Sequence, residues 1–384
     1  LSSGTKTSIG TIGLSANHTD TLYSIAKQFK YVGRKVAILT SVSIDHATPA
    51  AFYAHKGSRS SYYEIAKDLL ISNYDFFASG GFVEPYGSKN DSGAVSVYQL
   101  GEERGINFTQ TLFGVDSLLK VNAKPIVYSA HNPAPSSTLQ YEIDRANNDV
   151  TLEDITRKAI EVVDNPNGFF MMVEGGKIDW ACHDNDAATV VNEVLAFSRS
   201  VNAAFEFYKK YTNETLIIVT ADHETGGMSL GNDANGYKIF LSILRNQKMS
   251  QEKLHQTFEN FHKENPKATF NQVMEIIQQN TGLSLTGNNA LTPDELEQLK
   301  QAYNLYFGIK QSGNSKNEYS KTDLIAKTAL SILNKKAGIG WTSGTHTGSP
   351  VPVFAIGQGQ ELFGRFLDNT DIPKNILIAT GIQK

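Results

Sequence analysis

Apolar and polar positions along the chain predict helices and strands that alternate for most of its length. Residues 19–31 place apolar side chains at helical spacing, and the β-branched run RKVAILTSVSI follows them. The runs FFMMVEGG, TLIIVTADHETGG and VPVFAIGQG predict further strands, with a long helix over 184–211 between the first two. Because these strands lack polar alternation, they are typical of a parallel sheet that is covered on both faces. The pattern predicts an α/β protein, in which chemistry gathers at the carboxyl ends of strands.

Residues 232–340 differ from the rest of the chain in composition and pattern. They are rich in Asn, Gln and Lys, and they include helical segments such as QEKLHQTFENFHKE and TPDELEQLKQAYNLYF. Thr292 and Glu295 have the spacing of a capping box, and Pro293 stands at the first helical position. Thr151 and Asp154 mark a similar helix start earlier in the chain. We predict a single domain over 1–384 that carries a mainly helical insertion at about 232–340.

Composition and charge exclude several classes of protein. The 384 residues carry a net charge of -4 without a basic run, so no nucleic-acid binding is expected. No apolar stretch approaches the roughly 18 residues that a membrane-spanning helix needs. The single cysteine, Cys182, excludes a disulfide within the chain and is expected to pack as a small apolar residue. No signal peptide is visible in the first residues.

Residue types that bind metal ions are concentrated in three segments. The segments and their candidate ligands are VEGGKIDWACH with Glu174, Asp179 and His183, VTADHETGG with Asp222 and His223, and GTHTGSP with His346. Asp179 and His183 are four residues apart, so one helical turn would place both on the same face. Carboxylate and imidazole ligands together suit zinc or a similar divalent ion. The other histidines are expected to be non-ligands; they are His18, His55, His131, His255 and His262.

These segments resemble the metal-binding segments of alkaline phosphatases. The resemblance includes SVSIDHATPAAFYAHKGSR near the start and GTHTGSPVPVFAIG near the end, and the four motifs stand in family order. It covers Leu1 to about residue 231 and resumes at about residue 340. It implies a three-layer α/β sandwich with a central, mostly parallel sheet, whose first strand is expected to be missing from this chain.

The resemblance also implies a role for each matching residue. It implies a first zinc ion held by Asp179, His183 and His346, a second held by Asp222 and His223, and a third ion, usually magnesium, contacted by Thr48 and Glu174. Arg59 would bind two phosphate oxygens, since its planar fork matches a tetrahedral anion through charge-assisted hydrogen bonds.

Two positions depart from the best-known bacterial pattern of the family. His46 stands where some members have Asp, and Trp180 stands where some have Lys. His46 could recruit zinc instead of magnesium to the third site, or could bond only to a metal-bound water, the role that we favour. Trp180 either packs over the site or only removes a cation near the phosphate, which on charge alone predicts weaker product binding and faster release.

The family's nucleophilic serine is not found in this chain. The resemblance places it in a DSA-like segment ahead of Leu1, and a bridging aspartate earlier still; Ser2 and Ser3 align with the helix after the nucleophile. Two explanations compete: the chain is a truncated and inactive or impaired form of a complete enzyme, which we favour, or it is a natural phosphate- or metal-binding protein without a nucleophile.

For the complete enzyme, the resemblance implies a phosphate monoester hydrolase that works through a phosphoserine. The nearest alternative is a phosphodiesterase or sulfatase of the same superfamily, but Thr48 and Glu174 in their family settings favour a monoesterase. Small phosphate monoesters are the expected substrates. By the same resemblance we expect a periplasmic or secreted protein, and a homodimer is one expected assembly.

Overall fold

The computed structural model describes residues 1–88, 93–131, 134–236, 238–287, 289–308 and 324–382. Within these ranges the α-helices are α1 (Ile25–Tyr31), α2 (Ala47–Ala50), α3 (Tyr62–Ile71), α4 (Val97–Glu102), α5 (Leu112–Lys120), α6 (Leu152–Val163), α7 (Gly176–His183), α8 (Ala187–Tyr208), α9 (Gln251–Glu264), α10 (Phe270–Thr281), α11 (Pro293–Tyr306), α12 (Leu324–Ala337) and α13 (Asp371–Ala379). The strands are β1 (Lys35–Thr40), β2 (Phe76–Ser79), β3 (Asn107–Thr109), β4 (Ile126–Ser129), β5 (Phe169–Glu174), β6 (Leu216–Val219), β7 (Glu224–Thr225), β8 (Ser229–Leu230), β9 (Ile339–Gly340), β10 (His346–Thr347) and β11 (Phe354–Gly357).

A five-stranded parallel sheet with the order β3-β4-β2-β1-β5 forms the centre of the α/β fold. Side chains alternate between its two faces, as the pleat of a strand requires. Ile38 and Phe77 pack on one face against α1 and α3, whereas Leu39 and Phe76 pack on the other against α6. Burial on both faces explains the continuous apolar runs and confirms the predicted α/β class with a central parallel sheet.

The last apolar strands do not join this sheet. Strands β6 and β11 pair with each other in antiparallel orientation, from Leu216 opposite Gly357 to Val219 opposite Phe354. The prediction that both runs belong to the parallel sheet was therefore wrong for this pair in the described part of the chain. An apolar run indicates that a strand is buried, but it does not define the direction of its partner.

Capping residues define where several predicted helices begin. The helix predicted over 19–31 starts only at Ile25, because the hydroxyl of Ser24 accepts a hydrogen bond from the Lys27 amide. The long helix predicted over 184–211 is α8, which begins after Asp186. The start predicted at Thr151 is present as a capping box with Asp154.

The stretch from 232 to 340 is mainly helical where the structure describes it, and residues 309–323 and single positions within it lie outside the described residues. Helices α9 to α12 share an apolar core that includes Leu254, Ile277 and Leu330, and the start of α8 contributes Ala187 and Ala188 to it. The capping box of Thr292 and Glu295 is formed as the spacing predicts. The single-domain organisation over 1–384 stays a prediction.

A partly buried carboxylate and a buried one attach the start of α9 to the rest of the protein. Asp144 accepts hydrogen bonds from the Ser250 amide and hydroxyl at 2.9 and 2.5 Å. Asp186, which caps α8, accepts one from the Gln251 amide at 2.8 Å. Negative charge suits a helix N-terminus, so these contacts stabilise the position of α9.

In the described residues no helix combines the length and the apolar character needed to cross a membrane.

Candidate active site

Strand β5 leads directly into the helix that carries the first predicted ligands. Glu174 ends the strand, opposite Thr40 at the end of β1. The chain then turns through two glycines into α7, and a Cβ atom on Gly176 would lie 2.9 Å from a Val42 methyl group and 3.0 Å from a Glu174 oxygen. Only glycine fits this turn without displacing its neighbours.

One turn of α7 brings Asp179 and His183 together. The His183 Nε2 atom lies 3.5 Å from an Asp179 carboxylate oxygen. The Nε2 atom of His346 lies 3.8 Å from the same oxygen. One possible ligand atom from each of the three residues lies within 4.8 Å of the others, so together they could hold a metal ion. The structure thus brings together the three residues predicted for the first zinc.

A short antiparallel pairing places His346 beside the second predicted cluster. Strand β7 pairs with β10 so that His346 lies opposite Thr225. The rings of His223 and His346 stack with centroids 3.6 Å apart, and the His223 Nε2 atom lies 3.4 Å from an Asp222 oxygen. Burial and the neighbouring His223 lower the pKa of His346, which favours the neutral imidazole that a metal ion needs.

Hydrogen bonds define which nitrogen of two histidines faces the site. The Nδ1 atom of His183 donates to the Gly344 carbonyl at 2.8 Å, because a carbonyl can only accept. The Thr225 hydroxyl donates to Asp179 at 2.5 Å, so it accepts from the Nδ1 atom of His223 at 3.1 Å. Because Nδ1 carries the proton in this arrangement, Nε2 is the nitrogen of each ring that can offer a lone pair to a metal ion. Such bonds orient ligands and raise their basicity.

Sequence reasoning missed three residues that support this geometry. Thr225 joins the two predicted clusters through the bonds just described. Glu224 accepts the Gly227 amide at 2.9 Å and the Thr347 hydroxyl, which stabilises the β7–β10 pairing. Asn185, with a φ of 54°, donates to the Ser343 carbonyl at 2.9 Å and so attaches the end of α7 to the loop that carries His346. An Asn that follows a helix is the available sequence signal for such a left-handed residue.

The two residues predicted for the third ion lie side by side. The buried carboxyl group of Glu174 accepts hydrogen bonds from the hydroxyls of Thr40, at 2.5 Å, and of Thr48. Burial raises the pKa of Glu174 to about 7, and the charges of Asp222 and Asp179 also raise it. Bringing three carboxylates together without a cation is unfavourable, so this donor set fits a bound divalent ion.

Arg59, His46 and Trp180 form the side of the site where phosphate binding was predicted. An Arg59 Nη atom lies 3.3 Å from the Nε2 atom of His46, which must accept because a guanidinium only donates. Burial, and then the charge of Arg59, lower the pKa of His46 to about 4, so the ring is neutral. The His46 ring packs edge-on against Trp180 with centroids 5.8 Å apart.

Comparisons with known proteins identify the family of this chain. A family model described as alkaline phosphatase matches residues 1–73 and 134–382, so the chain belongs to the alkaline phosphatase family and is a phosphoric monoester hydrolase. It is 30% identical to alkaline phosphatase 4 of Bacillus subtilis (strain 168), over 97% of this chain and 72% of that protein. It is 25% identical to the repressible alkaline phosphatase of Saccharomyces cerevisiae, over 94% and 65% of the two chains.

Solved structures support the same fold. The cold-active alkaline phosphatase of Shewanella sp. superposes with a TM-score of 0.78 at 26% identity, covering 99% of this chain and 83% of that one. A variant of the TAB5 alkaline phosphatase, solved with Mg bound in its M3 site, shares the fold with a TM-score of 0.65 at 24% identity, over 100% and 82% of the two chains. For this chain, metal cofactors are supported by its own group of Asp179, His183 and His346.

The Thr225→Val variant is expected to bind zinc about 10-fold to 100-fold more weakly, because it keeps the shape of the side chain but removes the hydroxyl that orients Asp179 and His223. Competition with a chromophoric chelator measures the change. Thr257→Val is the matched control, since that hydroxyl donates to the Lys253 carbonyl of its own helix, α9, away from the site. Equal zinc affinity in Thr225→Val and the parent would show that Thr225 does not orient the ligands.

Proposed function

We propose that the chain provides the metal- and phosphate-binding frame of an alkaline phosphatase that hydrolyses small phosphate monoesters through a phosphoserine. The observation that carries the proposal is the convergence of Asp179, His183 and His346, with their ligand atoms within 4.8 Å of one another. The stacked ring of His223 extends this group toward Asp222. Two adjacent sets of carboxylate and imidazole ligands suit a two-metal phosphatase centre.

In this proposal the ligand sets hold two zinc ions. Asp179, His183 and His346 would bind the first, and Asp222 with His223 would bind the second. When bound, the ions supply positive charge that activates oxygen nucleophiles and stabilises the leaving oxygen. The chain's own residues position these charges, since Thr225 and the Gly344 carbonyl hold the imidazoles with Nε2 facing inward.

The third ion in the proposal is magnesium. Glu174 and Thr48 offer oxygen ligands, which magnesium prefers over nitrogen. His46 could have recruited zinc, but its Nε2 atom already accepts from Arg59 at 3.3 Å. We therefore assign His46 to the phosphate side of the site, where it holds the guanidinium of Arg59.

Arg59 binds and orients the phosphate group in this mechanism. Its planar fork can donate two hydrogen bonds to phosphate oxygens while a third N–H stays on His46. Trp180 stands beside His46 and adds no charge. Phosphate release is expected to be faster than in relatives with a lysine at this position.

The phosphoserine route requires a serine that the family resemblance places ahead of Leu1. Ser3 is a poor substitute, because its hydroxyl accepts from the Thr5 amide at 3.3 Å in a local turn. Export to the periplasm or the medium, and a homodimer, belong to this proposal through the family alone. Phosphodiester or sulfate hydrolysis, and phosphate binding without turnover, are the alternatives to be tested.

The experiment compares p-nitrophenyl phosphate, bis(p-nitrophenyl) phosphate and p-nitrophenyl sulfate as substrates. The 384-residue chain and a form extended at its N-terminus by a DSA-like serine segment of the family are each loaded with zinc and magnesium. We expect turnover in the longer form, with the monoester preferred by at least about 100-fold, and two zinc ions in both forms. A preference for the diester or the sulfate would contradict the proposal. Tight phosphate binding without turnover in both forms would favour the binding protein.

A further inference from the structure

Lys177 is a fully buried lysine on the helix that carries the first zinc ligands. Its side chain is 1% exposed, and its ammonium nitrogen donates to the Thr138 hydroxyl at 3.2 Å. A Glu252 carboxylate oxygen lies 3.9 Å from the same nitrogen. A buried ammonium group is strongly unfavourable unless it is paired. The position of this side chain therefore depends on its partners.

Two aromatic rings complete the surroundings of the ammonium group. The nitrogen lies 3.5 Å from the centroid of the Tyr141 ring and 5.6 Å from that of the Trp180 ring. A cation over a ring face is attracted to it, more strongly when both are removed from water. Lys177 and Trp180 are three residues apart on α7, so their side chains lie on neighbouring parts of the helix surface. Lys177 thus restrains one side of the Trp180 indole.

The other side of the Trp180 indole faces the phosphate-binding residues. Its ring contacts the ring of His46 at 5.8 Å between centroids, at an angle of 66°. His46 in turn accepts from Arg59 at 3.3 Å. A continuous set of contacts therefore leads from Lys177 through Trp180 and His46 to Arg59.

The counter-ion of Lys177 comes from the helical insertion. Glu252 lies in the first turn of α9, whose neighbouring residues are bound by Asp144 and Asp186. These bonds keep the Glu252 carboxylate near Lys177. Glu252 is the largest of the charges that stabilise the ammonium group, ahead of Glu193, Asp144 and Asp184. The attachment of α9 and the arrangement of α7 are therefore energetically linked.

We propose that Lys177 is a positioning residue whose ammonium group, paired with Glu252 of the insertion, holds the Trp180 indole against His46 and thereby aligns Arg59 for phosphate. The start of α9 would thus support the phosphate side of the site through Lys177. This role rests on the proposed function for the phosphate, but the restraint on Trp180 can be measured without it.

The test uses Trp180 as an internal probe. The chain has two tryptophans, so Trp341→Phe leaves Trp180 as the sole tryptophan. This variant is the parent for all the others. In Lys177→Met we expect acrylamide quenching of Trp180 to rise about twofold and the affinity for inorganic phosphate to fall about tenfold, with the zinc content unchanged. Lys177→Arg retains a cation and should recover most of both properties.

Glu252→Gln tests the same pair from the insertion side, and it remains informative if Lys177→Met does not fold. We expect changes in the same direction, and the double variant Lys177→Met/Glu252→Gln should be no worse than Lys177→Met, since both changes remove one interaction. Lys336→Met is the matched control, because Lys336 pairs with Glu295 at 2.9 Å elsewhere in the insertion. It should leave quenching and phosphate affinity at the parental values.

Three results would overturn the inference: unchanged Trp180 quenching in both Lys177→Met and Glu252→Gln, equal changes in Lys336→Met, or loss of zinc in parallel with phosphate. Failure of the proposed function would give a different experimental result. If the zinc-loaded parent binds no phosphate, the phosphate site is wrong, whereas the quenching measurements still decide whether Lys177 and Glu252 hold Trp180.

Discussion

Asp179→Asn is expected to lower zinc affinity by at least about 100-fold and to abolish phosphatase activity in the form that carries the family's serine segment. The Asp179 carboxylate oxygen lies 3.5 Å from the Nε2 atom of His183 and 3.8 Å from that of His346, so it is central to the first ligand set. Asparagine preserves the size of the side chain and removes its charge. The fall in zinc affinity would therefore come from the loss of a charged ligand and not from a packing defect.

Zinc content after dialysis and competition with a chromophoric chelator measure this effect. Asp116→Asn is the matched control, because its carboxylate is half exposed and pairs with Lys158 at 2.6 Å. That variant should retain zinc at the parental level. Tight zinc binding by Asp179→Asn would show that the group of Asp179, His183 and His346 is not the first metal site.

The two ligands on α7 could be predicted because their spacing in the sequence alone determines their relative position on a helix. Asp179 and His183 are four residues apart, and a helix brings such residues together whatever the rest of the fold does. The capping boxes that start α6 and α11 are equally local, since each depends on residues three positions apart. Apolar runs also predicted β1 and β5 of the central sheet, but the shorter strands β2, β3 and β4 were not predicted.

The position of His346 could not be derived from spacing. It reaches His223 through a pairing of two-residue strands, and nothing in the periodicity of either segment indicates a partner so far along the chain. The family resemblance supplied this placement where local rules could not. The antiparallel pairing of β6 with β11 was missed for the same physical reason, because apolar runs do not specify direction.

The residues that orient the ligands could not be recognised from the sequence, because nothing in their residue type or spacing indicates that role. Thr225 follows the ligand His223 closely, but only the folded chain shows that its hydroxyl also binds Asp179. Lys177 is a residue type that is usually exposed, and its burial depends on Tyr141 and on Glu252 of a distant helix. Sequence patterns detect ligands by chemical type, whereas the groups that orient them are determined by tertiary contacts.

Arg59→Ala is expected to weaken inorganic phosphate binding by about 100-fold, and to lower kcat/KM for a phosphate monoester by a similar factor in the form that carries the family's serine segment. The reason is the loss of a charged fork that can donate two parallel hydrogen bonds to phosphate oxygens. His46 cannot replace it, because an imidazole lacks the two parallel donors of a guanidinium, and burial, the main cause of the lowered pKa of His46, remains in the variant. Trp180 carries no charge.

Arg59→Lys separates the charge of the side chain from its shape. A lysine keeps one positive charge but presents a point donor, so we expect an affinity between those of the parent and Arg59→Ala. Arg104→Ala is the control, since that exposed guanidinium bonds only to the Leu100 carbonyl among the contacts described for it. Zinc content should be unchanged in all three variants, because Arg59 contacts His46 rather than a predicted zinc ligand. Parental catalytic efficiency in Arg59→Ala would show that Arg59 does not bind the phosphate group. Equal losses in Arg59→Lys and Arg59→Ala would show that the fork of the guanidinium, and not the charge alone, binds it.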